Sequence, residues 1–173
     1  VMMGKAPREG YVKTRLHPPL QQSQCVEIHC ANVLTTIKRI ENLFQQTQEE
    51  FPALQMRFCL AVPEEDLTHS FFLKIQQQFQ HTLPFTMVKQ GFGTLGDRLA
   101  FVFQKLWKPR EAIIFIGTDS PTVPYNIWRQ AVQALSHVDV VFGPSFDGGY
   151  YLVGLREQQL IFENIPWSHQ DTL

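Results

Sequence analysis

The strongest indication of fold in this sequence is the alternation of short apolar runs with longer amphipathic stretches. That alternation is typical of β-α-β units and a mainly parallel sheet. The clearest run spans residues 112–117, where apolar side chains follow one another without a break, as in strands covered by helices on both faces. The sequence therefore predicts an α/β fold with a mainly parallel β-sheet flanked by helices on both faces, and residues 112–117 as a central strand.

The same patterning predicts six strands and four helices. The strands are expected at residues 1–3, 56–62, 85–89, 112–117, 138–143 and 150–155, and the helices at 21–51, 67–79, 95–107 and 126–135. A length of 173 residues fits one domain spanning residues 1–173. Because Val1 falls inside the first predicted strand, we expect the N-terminal strand, and also the C-terminal end, to be truncated.

Charge and composition argue against several functional classes. The chain contains fifteen Lys and Arg residues and sixteen Asp and Glu residues. It therefore lacks the basic excess of a nucleic-acid-binding protein. Its apolar runs are shorter than the ~18 residues of a membrane span. The three cysteines form no C-x-x-C pair, and the histidines lack zinc-site spacing. We therefore expect a cytoplasmic protein with free thiols, no nucleic-acid partner and no membrane span.

The first of four unusual loops is residues 5–16, which follow the first predicted strand and carry four basic side chains. Arg15 can bind phosphate oxygens in a bidentate manner, Lys13 acts as a point charge, and Gly10 allows the backbone to turn around an anion. The loop lacks the G-K-[ST] sequence of a Walker motif. It is either a phosphate-binding loop or a solvated basic loop.

The second loop contains a G-x-G-x-x-G pattern at Gly91, Gly93 and Gly96, between a predicted strand and a predicted helix. With Asp119 as the acidic partner, this spacing is compatible with an NAD-binding Rossmann unit. The motif lies in the middle of the chain, however, and leaves little sequence for a substrate region. A tight strand-to-helix turn without a ligand also explains the glycines.

The third loop, residues 117–121, directly follows the predicted central strand. A carboxylate at the end of a buried strand is well placed to hold Mg²⁺ or Mn²⁺, which makes Asp119 a candidate metal ligand. The residue types fit a second role equally well. Asp119 or Ser120 would then cap the helix that is predicted to begin near Asn126.

The fourth loop joins the last two predicted strands and contains Asp147-Gly148-Gly149. An ordinary turn has this composition, but the adjacent rings of Phe146, Tyr150 and Tyr151 also offer surfaces on which a sugar could stack. If both strands end at the same sheet edge, Asp147 supplies a second carboxylate near Asp119. One or two carboxylates together with substrate phosphates are sufficient for Mg²⁺.

Taken in order, these loops resemble the selenodomain-associated glycosyltransferase family of the nucleotide-diphospho-sugar transferase superfamily, whose fold is of the glycosyltransferase-A, Rossmann-like type. The motifs that carry the resemblance are Lys5-Ala6-Pro7 with Gly10 and residues 13–16, Gln90-Gly91 with Gly93, Gly96 and Arg98, Gly117-Thr118-Asp119 with Pro121, residues 139–155, and Phe162-Glu163 with residues 165–168. The resemblance covers nearly the whole chain. Thr94 departs from it, because the family commonly has Asp at that position.

The resemblance implies a metal-dependent glycosyltransferase that uses a nucleotide-diphosphate sugar donor, with an acceptor that the sequence does not identify. Mg²⁺ or Mn²⁺ is the implied cofactor, held by the catalytic residues Asp119 and Asp147. The implied nucleotide- and phosphate-binding residues are Lys5, Lys13, Arg15, Gln90, Gly91, Gly93 and Arg98. The implied sugar and acceptor side consists of Gly148, Gly149 and Tyr150.

Three alternatives remain open at this point. Nucleotidyl transfer would use the same site, with an NTP and a phosphorylated acceptor as substrates and pyrophosphate as a product. A non-catalytic nucleotide-binding module would keep the fold without the activity, as the departure at Thr94 suggests. The NAD-dependent dehydrogenase is the third alternative.

Overall fold

A computed structural model of the protein describes residues 1–157 and 160–162. Strands and helices alternate as the sequence predicts. They are β1 (Met2–Met3), α1 (Gln22–Glu50), β2 (Phe58–Val62), α2 (Ser70–Phe79), β3 (Phe85–Lys89), α3 (Leu95–Leu106), β4 (Ile113–Ile116), α4 (Tyr125–Ala134), β5 (Val140–Pro144) and β6 (Tyr150–Leu155). Short 3-10 turns lie at Thr14–Leu16, Glu64–Asp66 and Leu160–Phe162.

The six strands form one sheet in the order β3-β2-β1-β4-β6-β5. The β1 strand pairs in parallel with β2 and β4, and β2 pairs in parallel with β3. The β6 strand is antiparallel to both β4 and β5. The mainly parallel sheet is thus confirmed, with β4 in a central position. All strands except β6 end at the same side of the sheet, which we call the carboxyl edge.

Helices cover both faces of the sheet, as predicted. On the first face, α1, α2 and α4 bury Ile37, Phe72 and Trp128 against the sheet. On the second face, α3 buries Phe103 near Phe115, which packs edge-to-face on Phe162. Each fully buried side chain of this size contributes roughly 1.5 to 3 kcal/mol to folding. This packing on two faces holds the sheet, and hence its carboxyl edge, in a fixed shape.

Helix α1 begins near the carboxyl edge, after the loop that follows β1, and runs along the first face of the sheet to its opposite edge. It is 29 residues long, and its buried residues repeat at helical spacing, as at Val33, Ile37 and Ile40. Hydrogen bonds between Gln21 and Gln24 form a capping box at its start. The buried stripe continues to His29, which lies beneath the loop that follows β1.

Two further expectations concern the termini and the membrane. Residues 163–168 of the predicted tail motif lie outside the described residues. Among the helices that the structure describes, none combines the length and the apolar character that a membrane span requires.

Candidate functional site

The carboxyl edge has a topological switch point between β1 and β4. From β1 the sheet continues through β2 and β3 on one side, and through β4, β6 and β5 on the other. Loops that leave such neighbouring strands diverge and leave a crevice, which is where open α/β sheets bind ligands. The basic loop follows β1, and the turn containing Asp119 follows β4. The fold therefore brings together two of the loops that the sequence singles out.

An ion pair joins these two loops. Lys13 Nζ lies 2.5 Å from Asp119 Oδ1, and the Lys13 side chain is only 15% exposed whereas that of Asp119 is 64% exposed. The Lys13 backbone has a φ of 51°, in the left-handed region. A non-glycine residue in this region is strained, and such residues are enriched at functional sites. The Lys13–Asp119 pair is the center of the candidate site.

The Asp119 carboxylate is ionised in this setting. Partial burial raises the pKa of Asp119, but the Lys13 ammonium and a hydrogen bond from the Thr118 hydroxyl (2.9 Å) outweigh it, and the pKa lies below its ordinary value. Helix α4 begins at Tyr125 after the N-cap residue Pro124, which makes no side-chain cap hydrogen bond. The interpretation of Asp119 or Ser120 as a helix cap is therefore wrong.

A first cleft of about 460 Å³ lies over the ends of β1, β2 and β3. It brings together the predicted site residues Lys5, Gln90, Gly91 and Arg98. Its other lining residues are Gly10, Tyr11, Thr14, Pro63, Glu64, Glu65 and Phe92. This volume is within the range of small-molecule sites.

Gln90 closes the base of the first cleft. The residue is 5% exposed, and its backbone N–H donates to Val62 O at 2.9 Å. No hydrogen bond in the part of the chain that the structure describes uses its side-chain amide. Because Gln90 lines the cleft and an amide can both donate and accept hydrogen bonds, Gln90 is suited to binding a polar group that enters the cleft.

The glycine turn after β3 forms one wall of the first cleft. Gly91 and Gly93 have φ values of 75° and 97°, so both positions require glycine. Thr94 caps α3, and its backbone and hydroxyl donate to the Asp97 carboxylate at 2.8 and 2.7 Å. These bonds hold the pKa of Asp97 below its usual range. Thr94 thus caps the N-terminus of α3. In the same turn, Arg98 Nε donates to Gly93 O at 3.0 Å.

The topology argues against the dehydrogenase alternative. The glycine turn follows β3 at one border of the sheet, whereas Asp119 follows β4. Strands β2 and β1 lie between them, so Asp119 is not on the strand beside the glycine turn, as a ribose-binding carboxylate of a Rossmann unit would be.

A second cleft of about 350 Å³ lies on the other side of the Lys13–Asp119 pair, over the ends of β4 and β5 and the start of β6. Asp119 itself is part of its wall. The remaining lining residues are Ser120, Thr122, Val123, Pro124, Pro144, Ser145, Phe146 and Tyr151. The Phe146 ring is fully exposed at the tip of the β5–β6 hairpin.

Asp147 lies in that hairpin and organises its turn. Its Oδ1 accepts hydrogen bonds from the Ser145 hydroxyl at 2.5 Å and from Gly149 N at 3.3 Å, and Gly148 has a φ of 81°. These bonds lower the pKa of Asp147, with a smaller contribution from the charge of Arg15. Asp147, Gly148 and Gly149 thus shape the loop that borders the second cleft.

Two of the predicted site residues lie outside the walls of the two clefts. Among the described residues, Tyr151 lines the second cleft and Tyr150 does not. Successive strand residues point to opposite faces, and Tyr150 packs instead on Phe142, with ring centroids 5.8 Å apart. Arg15 lies exposed on the 3-10 turn and is part of neither cleft wall in the described structure.

Comparison with known proteins places the chain in a family. The sequence model of the family described as "Uncharacterized protein conserved in bacteria (DUF2064)" matches residues 44–169, well over half of the chain. The chain belongs to this family. No match was found among functionally curated proteins.

A solved structure shares the fold of this DUF2064 protein. It is described as "putative nucleotide-diphospho-sugar transferase from Desulfovibrio desulfuricans G20", and it is similar with a TM-score of 0.68 and 23% sequence identity. The match covers 99% of this chain and 71% of the other. The nucleotide-diphospho-sugar transferase fold is thus confirmed, whereas membership of the selenodomain-associated family stays a prediction.

The donor set at the switch point fits a divalent cation that is bound partly by substrate. In the described residues, no group of three or more His, Cys, Asp or Glu side chains is placed to hold an ion. Both contacts of the Asp119 carboxylate use Oδ1, which leaves Oδ2 outside them. One or two carboxylates plus phosphate oxygens make a common Mg²⁺ site, so the Asp119 carboxylate suits such a site, and Asp147 as a second ligand stays a prediction.

Sequence reasoning missed several residues of this DUF2064 site. Glu64 and Glu65 follow β2 at the carboxyl edge, so the rule that polar residues after strands form sites would have found them. Tyr11 and Phe92 lie in the first and second loops, and only the structure shows that their rings line the cleft. His29 and Asp66, which hold the basic loop from below, leave no recognisable signal in the sequence.

Proposed function

We propose that this protein is a metal-dependent glycosyltransferase whose donor is a nucleotide-diphosphate sugar. The observation that carries the proposal is the Lys13–Asp119 pair between two clefts at the β1/β4 switch point. A diphosphate that bridges a nucleoside and a sugar has the same layout, with two bulky groups on either side of an anionic center. The shared fold of the nucleotide-diphospho-sugar transferase neighbour supports this assignment.

Lys13 and Asp119 would act on the diphosphate in complementary ways. The Lys13 ammonium would bind phosphate oxygens as a point charge. Asp119, with Asp147 as a second candidate, would hold Mg²⁺ or Mn²⁺ against the same phosphates. When bound, the cation supplies Lewis-acid stabilisation of the charge that develops on the departing nucleoside diphosphate.

The first cleft would bind the nucleoside. Gln90 offers a side-chain amide that can both donate to and accept from a base edge, and Arg98 also lines this cleft. Phe92 and Tyr11 are exposed aromatic rings at the mouth, 78% and 52% exposed, on which a base can stack. Glu64 or Glu65 would accept hydrogen bonds from ribose hydroxyls.

The second cleft would bind the sugar and its acceptor. Phe146 and Tyr151 present rings beside Asp119, and aromatic rings are common platforms for apolar faces of ligands. Ser145 adds a hydroxyl, and Asp147 fixes the turn that carries both Ser145 and Phe146. Gly148 and Gly149 allow the backbone of this turn to bend tightly.

Nucleotidyl transfer is a second candidate, favoured by the position of Lys5. This ammonium lines the first cleft separately from the Lys13–Asp119 pair, so it could neutralise the additional phosphate of an NTP. A phosphorylated acceptor would then attack the α-phosphorus, and pyrophosphate would leave.

Binding measurements test the proposal. Titration of UDP-sugars and GDP-sugars by calorimetry, with and without Mn²⁺, should show Mn²⁺-dependent binding that Asp119→Asn weakens by at least about tenfold, or 1.4 kcal/mol. Asp139→Asn is the matched control, because Asp139 is exposed next to the start of β5, away from the carboxyl edge. Equal affinities for the Asp119→Asn and unaltered proteins would remove Asp119 from the metal site.

The products then distinguish the two reactions. Slow, Mn²⁺-dependent hydrolysis of a nucleotide sugar would support glycosyl transfer, whereas release of pyrophosphate from an NTP and a sugar phosphate would support nucleotidyl transfer. Binding of nucleotides without turnover of any donor would support the non-catalytic module instead.

A further inference from the structure

We propose that His29 and Asp66 are positioning residues that fix Lys5 in the first cleft by holding the peptide group between Lys5 and Ala6. The inference rests on the proposed function, in which the first cleft binds a nucleoside diphosphate. It assigns a role to two buried polar side chains that line neither cleft among the described residues.

The geometry of this peptide group carries the inference. His29 Nε2 lies 3.0 Å from Lys5 O, and Ala6 N donates to Asp66 Oδ2 at 2.6 Å. Because a carbonyl oxygen only accepts, His29 must carry its proton on Nε2. Lys5 O and Ala6 N belong to one peptide group. Both of its polar atoms are therefore held by side chains from separate elements, α1 and the 3-10 turn after β2.

Burial makes these contacts rigid. Ala6 and Asp66 are 0% exposed, and His29 is 3% exposed. A buried carboxylate is stable only when charges or hydrogen bonds compensate for lost hydration, and Asp66 obtains this from Ala6 N and from an ion pair with Arg8. The first residues of the basic loop therefore cannot rotate without breaking buried polar contacts.

Lys5 itself has few restraints. Its side chain is exposed, and its ammonium lies 5.5 Å from the centroid of the Tyr11 ring. A lysine has a flexible four-carbon stem, so the direction in which it leaves the backbone decides where its charge can reach. Fixing the peptide group reduces the ordering cost when an anion binds. His29 and Asp66 would thus act on the ligand through Lys5.

A double-mutant cycle separates this role from general stabilisation. With UDP as the probe, Lys5→Met should weaken binding about tenfold in the unaltered protein, and its effect should fall to about twofold or less in the His29→Leu protein. His29→Gln, whose amide can still donate to Lys5 O, should restore the full effect of Lys5→Met. Lys74→Met on the exposed face of α2 is the charge-matched control and should change nothing.

The outcomes distinguish the inference from the proposed function. If Lys5→Met weakens UDP binding equally in both backgrounds, the positioning role is overturned while the cleft assignment stands. If Lys5→Met has no effect in the unaltered protein, the phosphate role of Lys5 fails and the positioning inference falls with it.

A second measurement does not depend on any variant folding. Amide hydrogen exchange in the unaltered protein should show strong protection of Ala6 N–H, compared with fast exchange at the neighbouring exposed Glu9. Exchange at Ala6 as fast as that at Glu9 would overturn the inference.

Discussion

The Lys13 ammonium lies 2.5 Å from Asp119 Oδ1 and thereby joins the loop after β1 to the turn after β4. The same carboxylate is the best candidate ligand for a divalent cation. A cation that binds the Asp119 carboxylate is repelled by the ammonium beside it, and an ammonium that is released from Asp119 is available to a phosphate. In the proposed function, metal and diphosphate binding would therefore be coupled through one ion pair.

Replacing Lys13 should separate these two effects. In Lys13→Met, the Asp119 carboxylate loses its competing charge, so Mn²⁺ should bind several-fold more tightly without nucleotide, whereas UDP without metal should bind about tenfold more weakly. Calorimetry measures both affinities. Lys38→Met on the exposed side of α1 is the control. Unchanged Mn²⁺ affinity in Lys13→Met would contradict the competition.

The glycine turn of the first cleft should tolerate no side chain at Gly91. A Cβ there would lie 2.9 Å from the Phe101 ring, and the φ of 75° is unfavourable for other residues. We expect Gly91→Ala to lower the free energy of unfolding by about 1 to 3 kcal/mol. Gly117→Ala is the matched control, because a Cβ at Gly117 would approach only Asp119 N, at 3.8 Å, among the described residues. Urea denaturation measures both changes, and equal stabilities of the two variants would refute the steric argument.

The hydroxyl of Thr94 should matter for stability. Thr94→Ala removes the side-chain cap of α3 and its bond to Asp97, at a cost of about 1 kcal/mol. Thr94→Ser keeps a hydroxyl and should retain most of that stability. Thermal unfolding distinguishes the two variants. A Thr94→Ala protein as stable as Thr94→Ser would show that the cap contributes little.

His29 should make stability depend on pH. Burial lowers the pKa of His29 below its ordinary 6.5, although its hydrogen bond to Lys5 opposes this. Since the unfolded chain binds this proton more readily, the contribution of neutral His29 is complete above pH 6.5 and is lost as the pH falls through the lower pKa of the folded state. The limiting slope is about 1.4 kcal/mol per pH unit.

The difference in unfolding free energy between the unaltered protein and His29→Gln isolates this effect, because the other titrating groups largely cancel. Denaturant titrations between pH 7.5 and pH 5 should show the difference shrinking as the pH falls. A constant or growing difference would mean that His29 is not held neutral by burial.

Local patterns in the sequence predicted the secondary structure well, since apolar periodicity reflects burial directly. The predicted strand 150–155 coincides with β6, and the predicted strand 85–89 with β3. Helix α2 begins at Ser70, later than predicted, because a 3-10 turn precedes it and the His69 side chain caps it. The insertion of antiparallel β6 between β4 and β5 depends on contacts distant in sequence, and no local pattern encodes it.

The part of the candidate site that consists of oppositely charged residues after strands could be predicted from the sequence. Lys13 and Asp119 follow strands whose ends share an edge, and the structure pairs them. Tyr151 rather than Tyr150 lines the second cleft because of the direction in which each β6 side chain points. The glycines of the hairpin obscure this direction in the sequence. In the sequence, His29 cannot be distinguished from any other polar residue on the buried stripe of a helix. Only the structure shows its contact with Lys5 O.

The reversed direction of β6 has a consequence for how the substrate range can change. Because β6 returns beside β5, the turn over residues 145–149 is a short hairpin, closed by hydrogen bonds between Ser145 and Gly149 and between Gly148 and Ser145. Its tip, with Phe146, contributes to the second cleft but not to the buried layers of the sheet. The Phe146 side chain can therefore vary in size without disturbing the Lys13–Asp119 pair, and in the proposed function a change at this one position would alter the range of acceptors.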